Sequence, residues 1–90
     1  MAGQIGEYIS KTKITEWTSL EELSGVTFSS GKKYLIDNNS GSTIRFVATS
    51  EANPTYYGTN FGYGETLMYS PDAGTLYVKG DNFNLAISEV

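Results

Sequence analysis

The sequence predicts an all-β protein, a small antiparallel β-sandwich or barrel with one short helical turn near residues 19–24. Two observations predict this fold class. Five runs rich in Tyr, Ile, Val and Thr alternate between apolar and polar residues, at 33–38, 43–49, 65–70, 75–80 and 84–89. Between these runs lie segments rich in Gly, Pro, Asn, Asp and Ser, which favour turns. A period of two places successive side chains on opposite faces of a strand, so each run fits a half-buried strand.

The N-terminal part of the chain leaves two alternatives open. Residues 1–16 are predicted to be either an edge strand or an extended arm that becomes ordered against a neighbouring molecule. Ile5, Ile9 and Ile14 in this segment follow no single period. The remaining residues, 17–90, are predicted to form a single β domain.

A short helix is expected at the start of that domain. Ser19 and Glu22 have the spacing of a capping box, and Gly25 suits the left-handed residue that ends a helix. One helical turn would direct Leu20 and Leu23 towards the core.

The connections between the runs suggest how the strands are joined. Residues 25–28 are predicted as a further short strand. Residues 39–42 are expected to close a hairpin between the first two runs, because Asn and Gly tolerate positive φ. The loop at 51–64 is long for so small a domain, and loops of this length are often functional or held by a partner.

One face of the predicted strands collects ten large side chains, which are expected to form the core. These residues are Tyr34, Ile36, Ile44, Phe46, Leu67, Tyr69, Leu76, Val78, Leu85 and Ile87.

The opposite face is less polar than a face exposed only to water should be. Two explanations remain open: a second sheet or the helix packs there, or another subunit does. In the second case, the residues that contact a subunit or a shell would be Leu35, Arg45, Val47, Met68 and Tyr77.

Composition removes several classes of function. The 90 residues carry a net charge of −4 and contain no Cys and no His. Disulfides, thiolate metal sites and cysteine nucleophiles are therefore excluded, and so are the commonest general base and metal ligand. The basic residues do not cluster, which argues against nucleic acid as a partner. No apolar run is long enough to span a membrane, and no secretory signal is recognised at the start.

The carboxylates do not suggest a reactive centre. Glu51, Glu65, Asp72 and Asp81 lie at predicted strand ends, but no spacing singles out an acid–base pair. Residues 81–84 lack the ligand pattern of a calcium loop. No catalytic, cofactor-binding or metal-binding residue is predicted, so a non-enzymatic role is expected.

Four aromatic residues in the long loop form the strongest candidate binding feature. Tyr56, Tyr57, Phe61 and Tyr63 lie within eight residues, among Gly, Asn and Thr. Three roles remain open: these rings cover the end of the sandwich, contact another protein, or bind a sugar. A carbohydrate- or receptor-binding module with glycan as its ligand is therefore the alternative function.

The order of features after Lys33 resembles a small all-β structural module of tailed-bacteriophage virions. The matching features are Tyr34, Ile36 and Asn38, then TIRFVATSEANP, a Gly-Glu pair, SPDAG, LYVKG and a closing LAISE. The resemblance implies a capsid decoration (cement) protein or a component of a head or tail fibre, made in the host cytoplasm. It also implies a homo-oligomer, expected to be a trimer, attached to the major capsid or tail protein of the virion.

Overall fold

The alternating runs form strands, and the computed structural model, which describes residues 3–90, confirms the all-β class. This part of the chain contains eight strands, one α-helix and one 3₁₀ turn. In chain order they are β1 (Gly3–Ser10), β2 (Ile14–Ser19), α1 (Leu20–Ser24), β3 (Tyr34–Asn38), β4 (Ile44–Thr49), β5 (Thr59–Phe61), β6 (Thr66–Tyr69), the 3₁₀ turn (Pro71–Ala73), β7 (Thr75–Gly80) and β8 (Phe83–Glu89).

The strands form two antiparallel sheets of four strands each. Sheet A has the order β1-β8-β3-β6, and sheet B has the order β2-β7-β4-β5. The pairing is nested along the chain, because β1 pairs with β8, β2 with β7, β3 with β6 and β4 with β5. Eight strands paired in this way, in two facing sheets, make a small jelly roll.

The predicted hairpin between β3 and β4 is wrong, because these strands lie in different sheets. The chain crosses between the sheets at Asn38 and Ser40, which are both fully buried. Asn38 donates from Nδ2 to the Phe61 carbonyl at 2.7 Å and accepts at Oδ1 from the Ser40 backbone N–H at 2.8 Å. The Ser40 hydroxyl accepts from the Asn84 N–H at 3.0 Å. These hydrogen bonds satisfy the polar groups of Asn38 and Ser40, which are buried where the chain passes between the sheets.

The predicted core face is confirmed. Eight of its ten residues are buried, while Phe46 and Leu67 are half-buried and pack against the others. Leu20, Phe61 and Phe83 complete the buried cluster. Edge-to-face aromatic contacts help to fill the space between the sheets. One of them joins Phe46 and Phe61, whose ring centres are 5.5 Å apart.

The short helix begins and ends where the sequence predicts. The Ser19 hydroxyl caps α1 by accepting from the Glu22 N–H at 2.9 Å, and Gly25 ends the helix with φ 76°. Leu20 is fully buried and Leu23 packs against the core.

The strand predicted at 25–28 is wrong, because this segment pairs with no strand. The Phe28 N–H donates instead to a carboxylate oxygen of Glu21 at 2.8 Å. The Phe28 ring packs edge-on against Tyr34 and Tyr69. A local side-chain acceptor and two aromatic contacts thus hold the segment without a sheet partner.

The N-terminal segment supplies one of the two edge strands of each sheet. β1 pairs with β8 from Gly3 to Ser10, with a register shift between Gln4 and Gly6. β2 is one edge of sheet B, and the predicted boundary at residue 16 falls inside it. Neither helix of residues 3–90 is long and apolar enough to cross a bilayer.

Candidate functional site

The five residues predicted to contact a subunit or a shell lie on two opposite faces of the sandwich. Leu35 and Met68 are direct cross-strand partners on the outer face of sheet A. Arg45, Val47 and Tyr77 lie on the outer face of sheet B, where Val47 pairs with Tyr77. The predicted set is therefore not one surface but two.

The outer face of sheet A is partly apolar and open. Met68 is 58% exposed on edge strand β6, and Ile9 is 61% exposed on edge strand β1, where Ile5 is exposed too. Between these edges, β8 presents the small residues Ala86 and Ser88. Leu35 and Met68 lie on β3 and β6, and Ile5 and Ile9 lie on β1, on the other side of β8. We call these four residues together the sheet A patch.

The outer face of sheet B is covered by the chain's own residues 50–58, which we call the covering loop. The Tyr77 hydroxyl donates to the Glu51 carbonyl at 3.1 Å, and the Trp17 Nε1–H donates to the Tyr56 carbonyl at 3.0 Å. Pro54 in the same loop is buried. A loop of the chain itself therefore covers part of this face, where the sequence analysis expected a second sheet, the helix or a subunit.

Two cation–π contacts lie side by side beneath the loop. Arg45 and Lys79 are cross-strand partners on β4 and β7. The Arg45 guanidinium lies 3.7 Å from the ring centre of Tyr57 and donates to its hydroxyl, while Lys79 Nζ lies 4.4 Å from the ring centre of Trp17. Such contacts hold cations and rings together at the surface without a carboxylate partner.

The four aromatic residues of the long loop do not form one platform. Phe61 is only 3% exposed, because it lies in β5 and packs against Phe46 in the core. Tyr56 and Tyr57 lie in the covering loop with exposed rings. Tyr63 is exposed in the turn that follows β5. The structure therefore removes Phe61 from the exposed set and separates Tyr63 from the covering loop.

A groove of about 350 Å³ opens where the covering loop meets β2 and β7. Its walls combine aromatic and prolyl rings with polar side chains of both charges. The lining residues are Thr15, Glu16, Trp17, Asn53, Pro54, Thr55, Tyr56 and Lys79. Sequence reasoning missed this groove, because Trp17 and Tyr56 meet only after the loop folds back across 39 positions of sequence.

Tyr56 is fixed at the edge of this groove. Its hydroxyl donates to a Glu51 carboxylate oxygen at 2.8 Å, and its ring remains 48% exposed. The hydrogen bond to Glu51 raises the pKa of Tyr56 above its usual value, and the negative charge of the same carboxylate adds to the effect. The Tyr56 hydroxyl is thus bonded to the chain while about half of the residue stays open to solvent.

The carboxylates considered for catalysis are occupied in local structure. Glu65 accepts from the Gly62 N–H, Asp72 from the Ser30 hydroxyl, and Asp81 from the Ser42 hydroxyl. Within residues 3–90, no group of three acidic side chains is placed to hold a metal ion. These side chains stabilise turns, as short polar residues in loops commonly do.

Residues 38–40 match the Asn-x-Ser pattern of N-glycosylation. Asn38 is fully buried and both ends of its amide are bonded, so it is not accessible as an acceptor.

Comparisons of the chain with protein-family models, with curated proteins and with solved structures found no match.

Proposed function

We propose that this chain is a non-enzymatic virion structural protein of a tailed bacteriophage, a capsid decoration (cement) protein or a head or tail fibre component. In this proposal it forms a homotrimer and attaches to the major capsid or tail protein through the outer face of sheet A. Its action is adhesive, and no bond of the partner is made or broken.

The observation that carries the proposal is the asymmetry between the two outer faces. The covering loop shields sheet B, whereas the sheet A patch leaves Ile5, Ile9 and Met68 exposed on the other side. Burying such side chains contributes about 25 cal/mol for each Å² of apolar surface, although ordering the partners offsets part of that gain. These side chains lie at both edges of one face, where a protein partner that spans the sheet would bury them.

The edge of sheet A strengthens the same proposal. β1 is eight residues long and pairs on one side only, with β8. Its other side presents unpaired backbone N–H and C=O groups, which favour strand-to-strand contact with another chain. The exposed Ile5 and Ile9 belong to this same strand, so backbone bonding and apolar burial would act together.

The architecture is compatible with this role. Jelly rolls of eight strands occur in viral capsid and lectin domains, although a fold alone does not fix a function. Many copies on one shell would convert weak single contacts into durable attachment, because each further contact within an assembly becomes effectively intramolecular.

Native mass spectrometry of the purified chain tests the proposed assembly. We expect a trimer at micromolar concentration, and we expect Met68→Lys to shift the mass to the monomer while the urea unfolding midpoint stays unchanged. Met68 is exposed, so a lysine there is harmless to the monomer and unfavourable only in a buried contact. Asn60→Lys is the matched control, because it adds the same charge on β5, at the outer face of sheet B.

A wild-type chain that stays monomeric throughout the micromolar range would contradict the proposed trimer, as would equal loss of assembly in both variants. Cosedimentation with empty capsids of tailed phages then tests attachment. The proposal expects the wild type to sediment with the shells and Met68→Lys to remain in solution.

A further inference from the structure

We propose that the groove beside Trp17 binds a neutral sugar, with the half-exposed ring of Tyr56 as its stacking surface. The groove lies at the outer face of sheet B, opposite the sheet A patch. This inference is therefore independent of the proposed virion attachment, and one face can bind a glycan while the other contacts protein.

The size and lining of the groove fit a small polar ligand. Its volume of about 350 Å³ is near the lower end of the range for small-molecule sites, about 300–1,000 Å³. Aromatic rings accept the C–H face of a sugar, and the polar side chains around them can take its hydroxyl groups. A hydroxyl both donates and accepts, and this lining offers both kinds of partner.

The polar groups of the groove are available to a ligand. Within residues 3–90, the side chains of Glu16, Asn53 and Thr55 make no hydrogen bond to the rest of the chain, and the Lys79 ammonium makes no ion pair and lies over the Trp17 ring. Glu16 supplies acceptors, Lys79 supplies donors and the Asn53 amide supplies both. Groups of complementary kind thus surround one opening.

The charge of the groove favours a neutral ligand. Its lining carries one carboxylate, on Glu16, and one ammonium, on Lys79. A phosphate or a nucleic acid strand would need a cluster of basic side chains, which this lining lacks. A purely apolar ligand would leave the polar groups desolvated without partners.

The groove is formed before any ligand arrives. The indole N–H of Trp17 holds the Tyr56 carbonyl, and Glu51 holds the Tyr56 hydroxyl. Gly58 lets the covering loop approach the indole, since a Cβ at that position would lie 2.5 Å from the Trp17 ring. Asn53 has φ 53°, in the left-handed region that asparagine tolerates better than most residues. Less ordering is then required on binding.

Trp17 provides a direct readout, because it is the only tryptophan of the chain and lines the groove. A glycan array would first select the sugar, and the selected mono- or disaccharide would then be titrated against Trp17 fluorescence. We expect a saturable change, with a dissociation constant of about millimolar order, because the groove is shallow and the ligand small.

Variants separate the groove from the rest of the surface. Asn53→Gly keeps the left-handed backbone and removes the amide, so affinity should fall about tenfold, as expected for a lost hydrogen bond in a small site. Tyr56→Ala should abolish saturable binding, and Tyr56→Phe should retain most of it because the ring remains. Tyr63→Ala is the control, since Tyr63 is exposed but lies outside the groove.

The proposal is overturned if no glycan on the array binds, or if the selected sugar binds Asn53→Gly and Tyr56→Ala as tightly as the wild type. Binding of a peptide library in place of sugars, with the same variant pattern, would also overturn it. Sugar binding by a strictly monomeric chain would support this site and contradict the proposed virion assembly, so the two can fail separately.

Discussion

Asn38 shows how a single side chain can determine the path of the backbone. Its amide bonds to the Phe61 carbonyl and the Ser40 N–H, and its own backbone pairs with Gly64 and Glu65. Buried amides with both ends satisfied fix one geometry, because any other leaves polar groups without partners. The crossing from sheet A to sheet B therefore depends on the identity of this residue, which the sequence pattern placed only at the end of a predicted strand.

Asn38→Ala should lower the free energy of unfolding by about 3 kcal/mol. The change leaves the Phe61 carbonyl and the Ser40 N–H buried without partners, at about 1–3 kcal/mol for each such group. Urea unfolding followed by circular dichroism measures the loss. Asn39→Ala is the control, since Asn39 is exposed and a surface change of this kind stays within about 0.5 kcal/mol. Equal effects of the two substitutions would contradict the role given to the Asn38 amide.

Tyr69 makes the free energy of unfolding depend on pH in the alkaline range. Burial raises the pKa of Tyr69 above its ordinary value near 10, so the folded chain keeps this proton at a pH where the unfolded chain has lost it. The contribution is complete below about pH 10 and is lost as pH rises through the folded-state pKa.

We expect the unfolding free energy of the wild type to fall more steeply than that of Tyr69→Phe as the pH rises above about 10. Tyr69→Phe also removes the hydrogen bond to the Gly74 carbonyl, which should cost about 1 kcal/mol at neutral pH. Urea titrations at several pH values separate the cost of the lost hydrogen bond, which is the same at every pH, from the change of the unfolding free energy with pH. Parallel slopes for the two chains would show that Tyr69 does not titrate differently on folding.

At the scale of the element, alternation predicts which face a residue takes but not which sheet its strand joins. The runs 75–80 and 84–89 match β7 and β8 closely, and Leu76, Val78, Leu85 and Ile87 all point into the core as predicted. However, β7 and β8 lie in different sheets, although only two residues separate them. The period of two is a local property, whereas the sheet partner depends on contacts far along the sequence.

The groove beside Trp17 was also predictable only in part, because the sequence indicates its loop but not the residue that the loop contacts. The Tyr and Gly content of the long loop indicates a special role, and Tyr56 and Tyr57 are exposed as a binding role requires. The partner of this loop, Trp17, precedes the helix and showed no local sign of belonging with it. Their contact arises because the covering loop lies back over sheet B, and short-range patterns carry no information on that path.

Gly58 and Gly64 form a matched pair that tests how tightly the covering loop is held. Both have positive φ, at 84° and 82°, so alanine at either position costs about 1–2 kcal/mol in the backbone. A Cβ at Gly58 would also overlap the Trp17 ring, whereas a Cβ at Gly64 meets open space. Gly58→Ala should therefore be the more destabilising variant in urea unfolding, and it alone should change Trp17 fluorescence in the native state. If both variants leave the fluorescence unchanged, the loop does not rest on the indole.

At the scale of the whole molecule, nested pairing joins the two ends of the chain. β1 and β8 are neighbours in sheet A, and β2 and β7 are neighbours in sheet B, so each sheet requires strands from both ends. The chain loses conformational entropy in closing these long loops before the stabilising contacts between strands form. This predicts folding in milliseconds to seconds rather than microseconds. The nested pairing also means that an N-terminal segment cannot be lost without opening a sheet edge.

Deletion of residues 1–10 should therefore abolish cooperative unfolding, rather than merely remove an appendage. β1 bonds to β8 along its length, and Tyr8 packs on Phe83 with ring centres 5.3 Å apart. Its removal exposes β8 and one side of the core, in a domain whose total stability is only about 5–15 kcal/mol. Urea unfolding of the truncated chain measures this, and a truncated chain that unfolds like the full one would identify the segment as an arm.

Two adjacent substitutions in β1 separate folding from self-association. Tyr8→Ala, on the inner side, should lower the free energy of unfolding by about 2 kcal/mol in urea unfolding. Ile9→Ala, on the exposed side, should change it by no more than about 0.5 kcal/mol and weaken only self-association.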